Sequence, residues 1–222
     1  MKYLKYTFII LGLGLLASCE YIESPDSTAN VSSGFITFPA LTLEGESFIL
    51  LNVGASYEDP GYTATLGVDD ITDQVDVTGD AVDTGKPGYY VVRYSVSTTN
   101  ELGNDQTVTV LREIIVQGGD VDDLDLSGQY QGAGFGSSIV TVAKIGRGLY
   151  TADKALASGN NIAVSFYHVG GDLLAIPDQP GPFGNMNTAS PGTDASLTPT
   201  GFQWSIFIGC CGVFGPITFD RI

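Results

Sequence analysis

Apolar and polar residues alternate one for one through much of this chain, which is the period of a half-buried β-strand. In Tyr89 to Ser97, Tyr90, Val92, Tyr94 and Val96 share one face, and Tyr89, Val91, Arg93 and Ser95 the other. In Thr107 to Val116, Val108, Val110, Ile114 and Val116 share a face that Arg112 interrupts. Shorter strand candidates are Phe35 to Phe38, Phe48 to Val53 and Tyr62 to Leu66, separated by turn signals such as Asp59-Pro60-Gly61 and Lys86-Pro87-Gly88. No segment carries a helical period with caps. The pattern predicts six or seven short strands in the first half of the chain.

The second half reads the same way. Ser137 to Ile145, Gly148 to Ala152, Ile162 to Val169, Asp172 to Pro177, Gly201 to Gly209 and Val213 to Arg221 are strand candidates. Glycine supplies 16 of the 103 residues from Asp120 onward, so tight turns and bulges are expected there. Between the halves, Gln117-Gly118-Gly119-Asp120-Val121-Asp122-Asp123 has the composition of a linker. The fold class predicted is all-β. An immunoglobulin-like β-sandwich without the usual cysteine pair spans 34–117. A linker at 118–124 leads to a second antiparallel β-sandwich or barrel-like domain over 125–222.

The first 33 residues follow a different pattern. Lys2 and Lys5 precede the apolar run Thr7 to Leu16, ten residues long and too short for a membrane span, which takes roughly 20. Small residues follow, in Leu16-Ala17-Ser18-Cys19, so residues 1–18 read as a signal peptide. With its cysteine, this site resembles the bacterial lipobox. That resemblance implies a lipid on Cys19, an attachment to the membrane, and a mature chain beginning there. Residues 19–33 are polar and acidic, as a flexible tether would be. Removing residues 1–18 takes two lysines and moves the net charge from −16 to −18. So acidic a chain argues against binding nucleic acid or an anionic membrane surface.

The first domain carries a family pattern. Its residues include Leu51-Asn52-Val53-Gly54, Tyr57-Glu58-Asp59-Pro60-Gly61-Tyr62-Thr63-Ala64 and Asp70-Ile71-Thr72-Asp73-Gln74-Val75. They continue through Gly79, Val82-Asp83-Thr84, Lys86-Pro87-Gly88-Tyr89-Tyr90-Val91-Val92-Arg93-Tyr94 and Gly103-Asn104. Over residues 46–116 the chain resembles the bacterial surface Ig-like domain, found also in a pesticidal crystal toxin and in lipoproteins of Bacteroidetes. Where the family often has Asp-Gly before its Ile-Thr, this chain has Asp69-Asp70. Asp125 to Tyr130 and Val140 to Tyr150 are similar to C-terminal domains of Bacteroidetes lipoproteins. The resemblance implies an outer-membrane, cell-surface setting beside SusC/SusD-like glycan-uptake proteins.

Candidate chemistry is sparse. Asp69, Asp70, Asp73 and Asp76 lie between strands and could offer oxygens to a metal such as calcium, which takes about six to eight. Their spacing does not match an EF-hand loop, and a solvated acidic turn is the favoured reading. His168, the one histidine, lacks a Gly-x-Ser-x-Gly partner and reads as a strand residue held by a backbone group. Glycosidases need two carboxyl groups about 5–9.5 Å apart, and the second domain contains no Glu. No catalytic residue, enzyme activity or cofactor is predicted.

Aromatic residues point to binding. Trp204, the only tryptophan, shares a strand face with Phe202, Ile206 and Ile208, so core packing is favoured over a ligand platform. Phe183 instead lies in Pro177-Asp178-Gln179-Pro180-Gly181-Pro182-Phe183-Gly184-Asn185-Met186-Asn187. A loop of this length is often functional. Its aromatic among Asp178, Gln179, Asn185 and Asn187 has the composition of a carbohydrate contact. The pair Cys210-Cys211 reads first as two buried thiols, since neighbours seldom bridge. The alternative is a vicinal disulfide forming a stiff apolar plate beside a binding site. The chain is therefore expected to be a lipid-anchored, non-catalytic glycan-binding accessory; the alternative is a spacer docking an outer-membrane partner.

Overall fold

Strand alternation becomes burial wherever one face of a sheet meets another. The computed structural model describes residues 36–222 except Phe135, Asn160 and Pro191. The residues read as a signal peptide and tether, Cys19 among them, lie outside the described residues. The first module has two sheets. One contains β1 (Pro39–Leu43), β3 (Tyr62–Leu66) and β4 (Asp69–Asp70), and the other contains β2 (Phe48–Asn52), β5 (Asp76–Gly79), β6 (Gly88–Thr99) and β7 (Asp105–Gln117). In the second sheet β6 and β7 form a long antiparallel hairpin, and β2 joins β7 in parallel, from Phe48 opposite Glu113 to Asn52 opposite Gln117.

The core residues of β6 and β7 come from the predicted faces, and β1 and β3 add Leu41 and Ala64. Leu41, Ala64, Tyr90, Val92, Tyr94, Val96, Ile114 and Val116 pack between the sheets. The strand expected at Phe35–Phe38 lies later, at Pro39–Leu43, where Leu41 enters this core. Pro39 opens that strand at the edge of its sheet, where the missing N–H breaks no ladder. Arg112, the break in the apolar face of β7, stays in register and is fully buried. All five of its N–H donors find acceptors. Nε reaches Glu46 O (3.2 Å), Nη2 reaches Glu44 O and Gly61 O (3.1 Å), and Nη1 pairs with Asp59 and the Tyr94 hydroxyl.

The second module is an antiparallel barrel of eight strands. These are β8 (Gly128–Ala133), β9 (Ser137–Gly146), β10 (Leu149–Ala152), β11 (Val164–Gly170), β12 (Leu173–Ala175), β14 (Ala195–Thr198), β15 (Gly201–Ile208) and β16 (Gly212–Arg221). β8 pairs with β16 and closes the barrel, while the short β13 (Met186–Thr188) pairs with the C-terminal half of β15. Eight strands leave an interior that side chains can fill. They do so here: Trp204 lies 4.5 Å from Phe219, 5.1 Å from Phe202 and 5.3 Å from Phe166 between ring centroids.

The modules are joined by packing as well as by chain. The segment read as a linker forms a 3-10 helix at Gly119–Asp122, with Val121 buried. Tyr89 and Ile115, on the reverse faces of β6 and β7, share a cluster with Val169 and Ala175 of the barrel. Gly118 N–H donates to Val169 O (2.8 Å), Gln117 Nε2 to His168 O (3.1 Å) and Arg147 Nη1 to Asn52 Oδ1 (2.8 Å). At Gly170, with φ +145°, an added Cβ would stand 2.9 Å from Pro87 Cβ, so the approach requires glycine.

Candidate ligand-binding hairpin on the barrel

The long Pro/Gly-rich loop folds into a hairpin of its own. Gln179 and Met186 exchange backbone hydrogen bonds of 2.9 and 2.8 Å, and Gly181 N–H reaches Gly184 O across the turn. Gly184 turns the chain with φ +97°, and a Cβ there would stand 3.3 Å from Gly209 Cα. The hairpin lies against the turn between β15 and β16: Cys210 N–H donates to Phe183 O (3.0 Å) and Gly209 N–H to Asn185 O (2.9 Å). Met186, buried in the barrel core, anchors its returning strand.

That contact brings together residues 27 positions apart. Phe183 is 53% exposed, so its ring is available to a ligand. Beside its backbone stands Cys210, bonded to Cys211 in a vicinal disulfide, and both cysteines are exposed. The two buried thiols expected are therefore corrected on both counts. The pair sits at a hairpin tip, where no core surrounds it. Val213, 62% exposed, follows on β16.

Polar groups gather at the foot of the hairpin. Asp178 accepts from Asn185 Nδ2 at one carboxylate oxygen and from Asn187 Nδ2 at the other (3.0 Å). Each amide nitrogen gives one N–H to Asp178, so its second N–H and the carbonyl oxygen are the groups that could meet a hydroxyl. Gln179 has another task. Its Oε1 accepts Ser165 N–H and its Nε2 donates to Ser165 O, both at 2.8 Å, so the side chain splices the loop to β11. Its Nε2 also donates to Pro177 O (3.2 Å), so both amide atoms help to hold the loop.

A cleft of about 320 Å³ adjoins these groups, lined by Asp178, Gln179, Ser165, Tyr167 and Phe48. Phe48 comes from the first module and packs on Tyr167 with ring centroids 5.6 Å apart. Burial raises the Tyr167 hydroxyl above its ordinary value. Clefts at module junctions are common ligand sites. Phe48 and Tyr167 escaped the sequence reading because each is an ordinary strand aromatic; only the approach of the modules turns them toward one cleft.

The remaining candidates resolve differently. Trp204 is 1% exposed and its indole N–H donates to Ala155 O (2.9 Å), so it is a core residue with no face for a ligand. Asp69, Asp70, Asp73 and Asp76 are all exposed, and among the described residues no three acidic, histidine or cysteine side chains are grouped to hold a metal ion. Asp70 instead caps the turn. The Thr72 side chain and amide hydrogen-bond its carboxylate and hold it below the ordinary carboxylate value. His168 is buried in β11 with Nε2 3.0 Å from Gly171 O.

Residues 41–116 match the family described as "Bacterial surface protein, Ig-like domain". A crystal structure of a lipoprotein from Bacteroides thetaiotaomicron is similar at 23% identity, covering 83% of this chain and all of that one with a TM-score of 0.35. The search of curated proteins returned no match. The two-sheet sandwich of β1 to β7 agrees with that match, and the first module is an Ig-like domain.

Proposed function

We propose that this chain is a non-catalytic glycan-binding accessory of the bacterial cell surface. Lipid on Cys19 would anchor it to the outer membrane, and its partners would be SusC/SusD-like uptake proteins. The observation that carries the reading is the Phe183 hairpin. An exposed aromatic and an exposed disulfide stand together at its tip, with an Asp–Asn–Asn group at its foot. Sugar rings offer apolar C–H faces to such surfaces and hydroxyls to such amides. The filled barrel interior leaves the outer surface as the place for this contact. A surface-protein Ig-like domain fits the same setting.

Affinity electrophoresis against a panel of polysaccharides tests the proposal. At least one polysaccharide should retard the native chain, and Phe183→Ala should weaken that retention about tenfold, as for other truncated aromatic contacts. The melting temperature of the variant should stay native, because Phe183 is outside the core. If no polysaccharide retards the native chain, and a membrane pull-down recovers an outer-membrane protein instead, the chain is a docking spacer and the glycan reading falls.

A further inference from the structure

One acidic side chain of the Ig-like domain reaches the hairpin that lies on the barrel. Glu113 lies in β7 on the face opposite the sandwich core and is 8% exposed. Its Oε1 and Oε2 stand 3.0 and 3.1 Å from the backbone N of Asp178, and its Oε1 also accepts the Tyr89 hydroxyl. Asp178 in turn holds Asn185 and Asn187. A chain of hydrogen bonds thus runs from a buried residue of one module to the polar foot of the hairpin on the other.

Such a carboxylate is costly to bury, and its hydrogen bonds reduce that cost. Burial pushes the Glu113 carboxyl up, while the Tyr89 hydroxyl and the Asp178 amide act against that rise. A glutamate here does nothing for the sandwich core, which lies on the other face of β7. What it contacts is the first residue of the hairpin's polar group.

We propose that Glu113 is a positioning residue for the ligand-binding hairpin: it fixes the Asp178 backbone from across the module junction, and with it the amides of Asn185 and Asn187. The Ig-like domain is then a working part of the site and more than a spacer. The positioning role stands on the geometry alone; its service to a ligand rests on the glycan reading above.

Hydrogen exchange by mass spectrometry on the full chain in detergent separates the two. Glu113→Leu keeps the bulk and removes both acceptors. Exchange across residues 178–187 should rise about tenfold or more, the effect of losing buried hydrogen bonds to one amide, while β8 to β10 and the β6–β7 ladder stay native. Glu113→Gln and Tyr89→Phe should give smaller rises in the same segment, and they carry the test if the leucine variant does not fold. Polysaccharide retention should fall in parallel with exchange. Native exchange at 178–187 or a uniform rise throughout both modules would each overturn the positioning role, and faster local exchange with unchanged retention would overturn its service to the ligand. If the native chain retains no polysaccharide, the glycan reading fails by itself, and the exchange pattern still decides the role of Glu113.

Discussion

Arg112 shows how much one residue can organise in a sandwich. Its donors tie the loop of Glu44 to Glu46 and the turn at Asp59 to Gly61 onto β7, and its guanidinium lies 5.5 Å from the centroid of the Tyr94 ring. Asp59→Ala strips the charge partner from a fully buried guanidinium. We expect a loss of about 1–3 kcal/mol in urea denaturation, below the cost for a wholly buried pair because the Asp59 side chain is 37% exposed. Burial raises the Asp59 carboxyl, but the Tyr94 hydroxyl, the Gly61 amide and Arg112 outweigh it and hold the carboxyl below its ordinary value. Its stabilising contribution is therefore present above the unfolded value of about 3.9 and lost as pH falls through the folded one. Thermal melts of Asp59→Asn should lose less stability than the native protein below about pH 4. Trp204 gives a spectroscopic counterpart. As the sole, buried tryptophan it should emit in the blue and keep its spectrum when polysaccharide binds; a ligand-induced shift would contradict its place in the core.

At the scale of elements, the hairpin from Pro177 to Asn187 and the β15–β16 turn are one unit. Neither is an ordinary strand, and each is held by the other's backbone. The disulfide lies at their contact and is exposed, so its redox state is directly measurable. Alkylation without reductant should leave Cys210 and Cys211 unlabelled, and reduction should add two labels to the same peptide. Labelling of both before reduction would remove the disulfide from the site. In β6 and β7 the alternation of the sequence is correct for one face and incomplete for the other. Tyr89, Glu113, Ile115 and Gln117 belong to the face opposite the sandwich core, yet all are buried, because the barrel covers that end of the hairpin. The run Leu111 to Gln117 holds the only sign of this in the sequence, since its apolar residues stop alternating.

For the whole molecule, the shared cluster around Tyr89, Ile115, Val169 and Ala175 means that neither module can unfold without exposing apolar surface of the other. Calorimetry should show one cooperative transition for both, and two separated transitions would show that the junction does not couple them. Gly170→Val should sharpen that test. Its side chain would meet Pro87 and Asp120 at 3 Å or so, forcing the modules apart. The expected loss is about 1–3 kcal/mol, with the transition broadening or splitting as the coupling weakens.

The sequence by itself determined the local geometry of this protein: the period-two pattern, the turn residues and the motifs of the Ig-like domain. These are written in neighbouring residues, so β3 at Tyr62–Leu66 and the inward face of β6 were legible, as was the long loop at Pro177 to Asn187. Tertiary structure decided whatever depends on residues distant in the chain. It closed the second domain as a barrel through the pairing of β8 with β16, Ala133 opposite Thr218, and it drew Trp204 inside. It left the four aspartates exposed, with Asp70 accepting the Thr72 amide, and gathered no three acidic, histidine or cysteine side chains among the described residues. It also brought Glu113 to Asp178 and Phe183 to Cys210. Side-chain identity marks which residues can make such contacts, but only the packing of one module on another sets which of them meet.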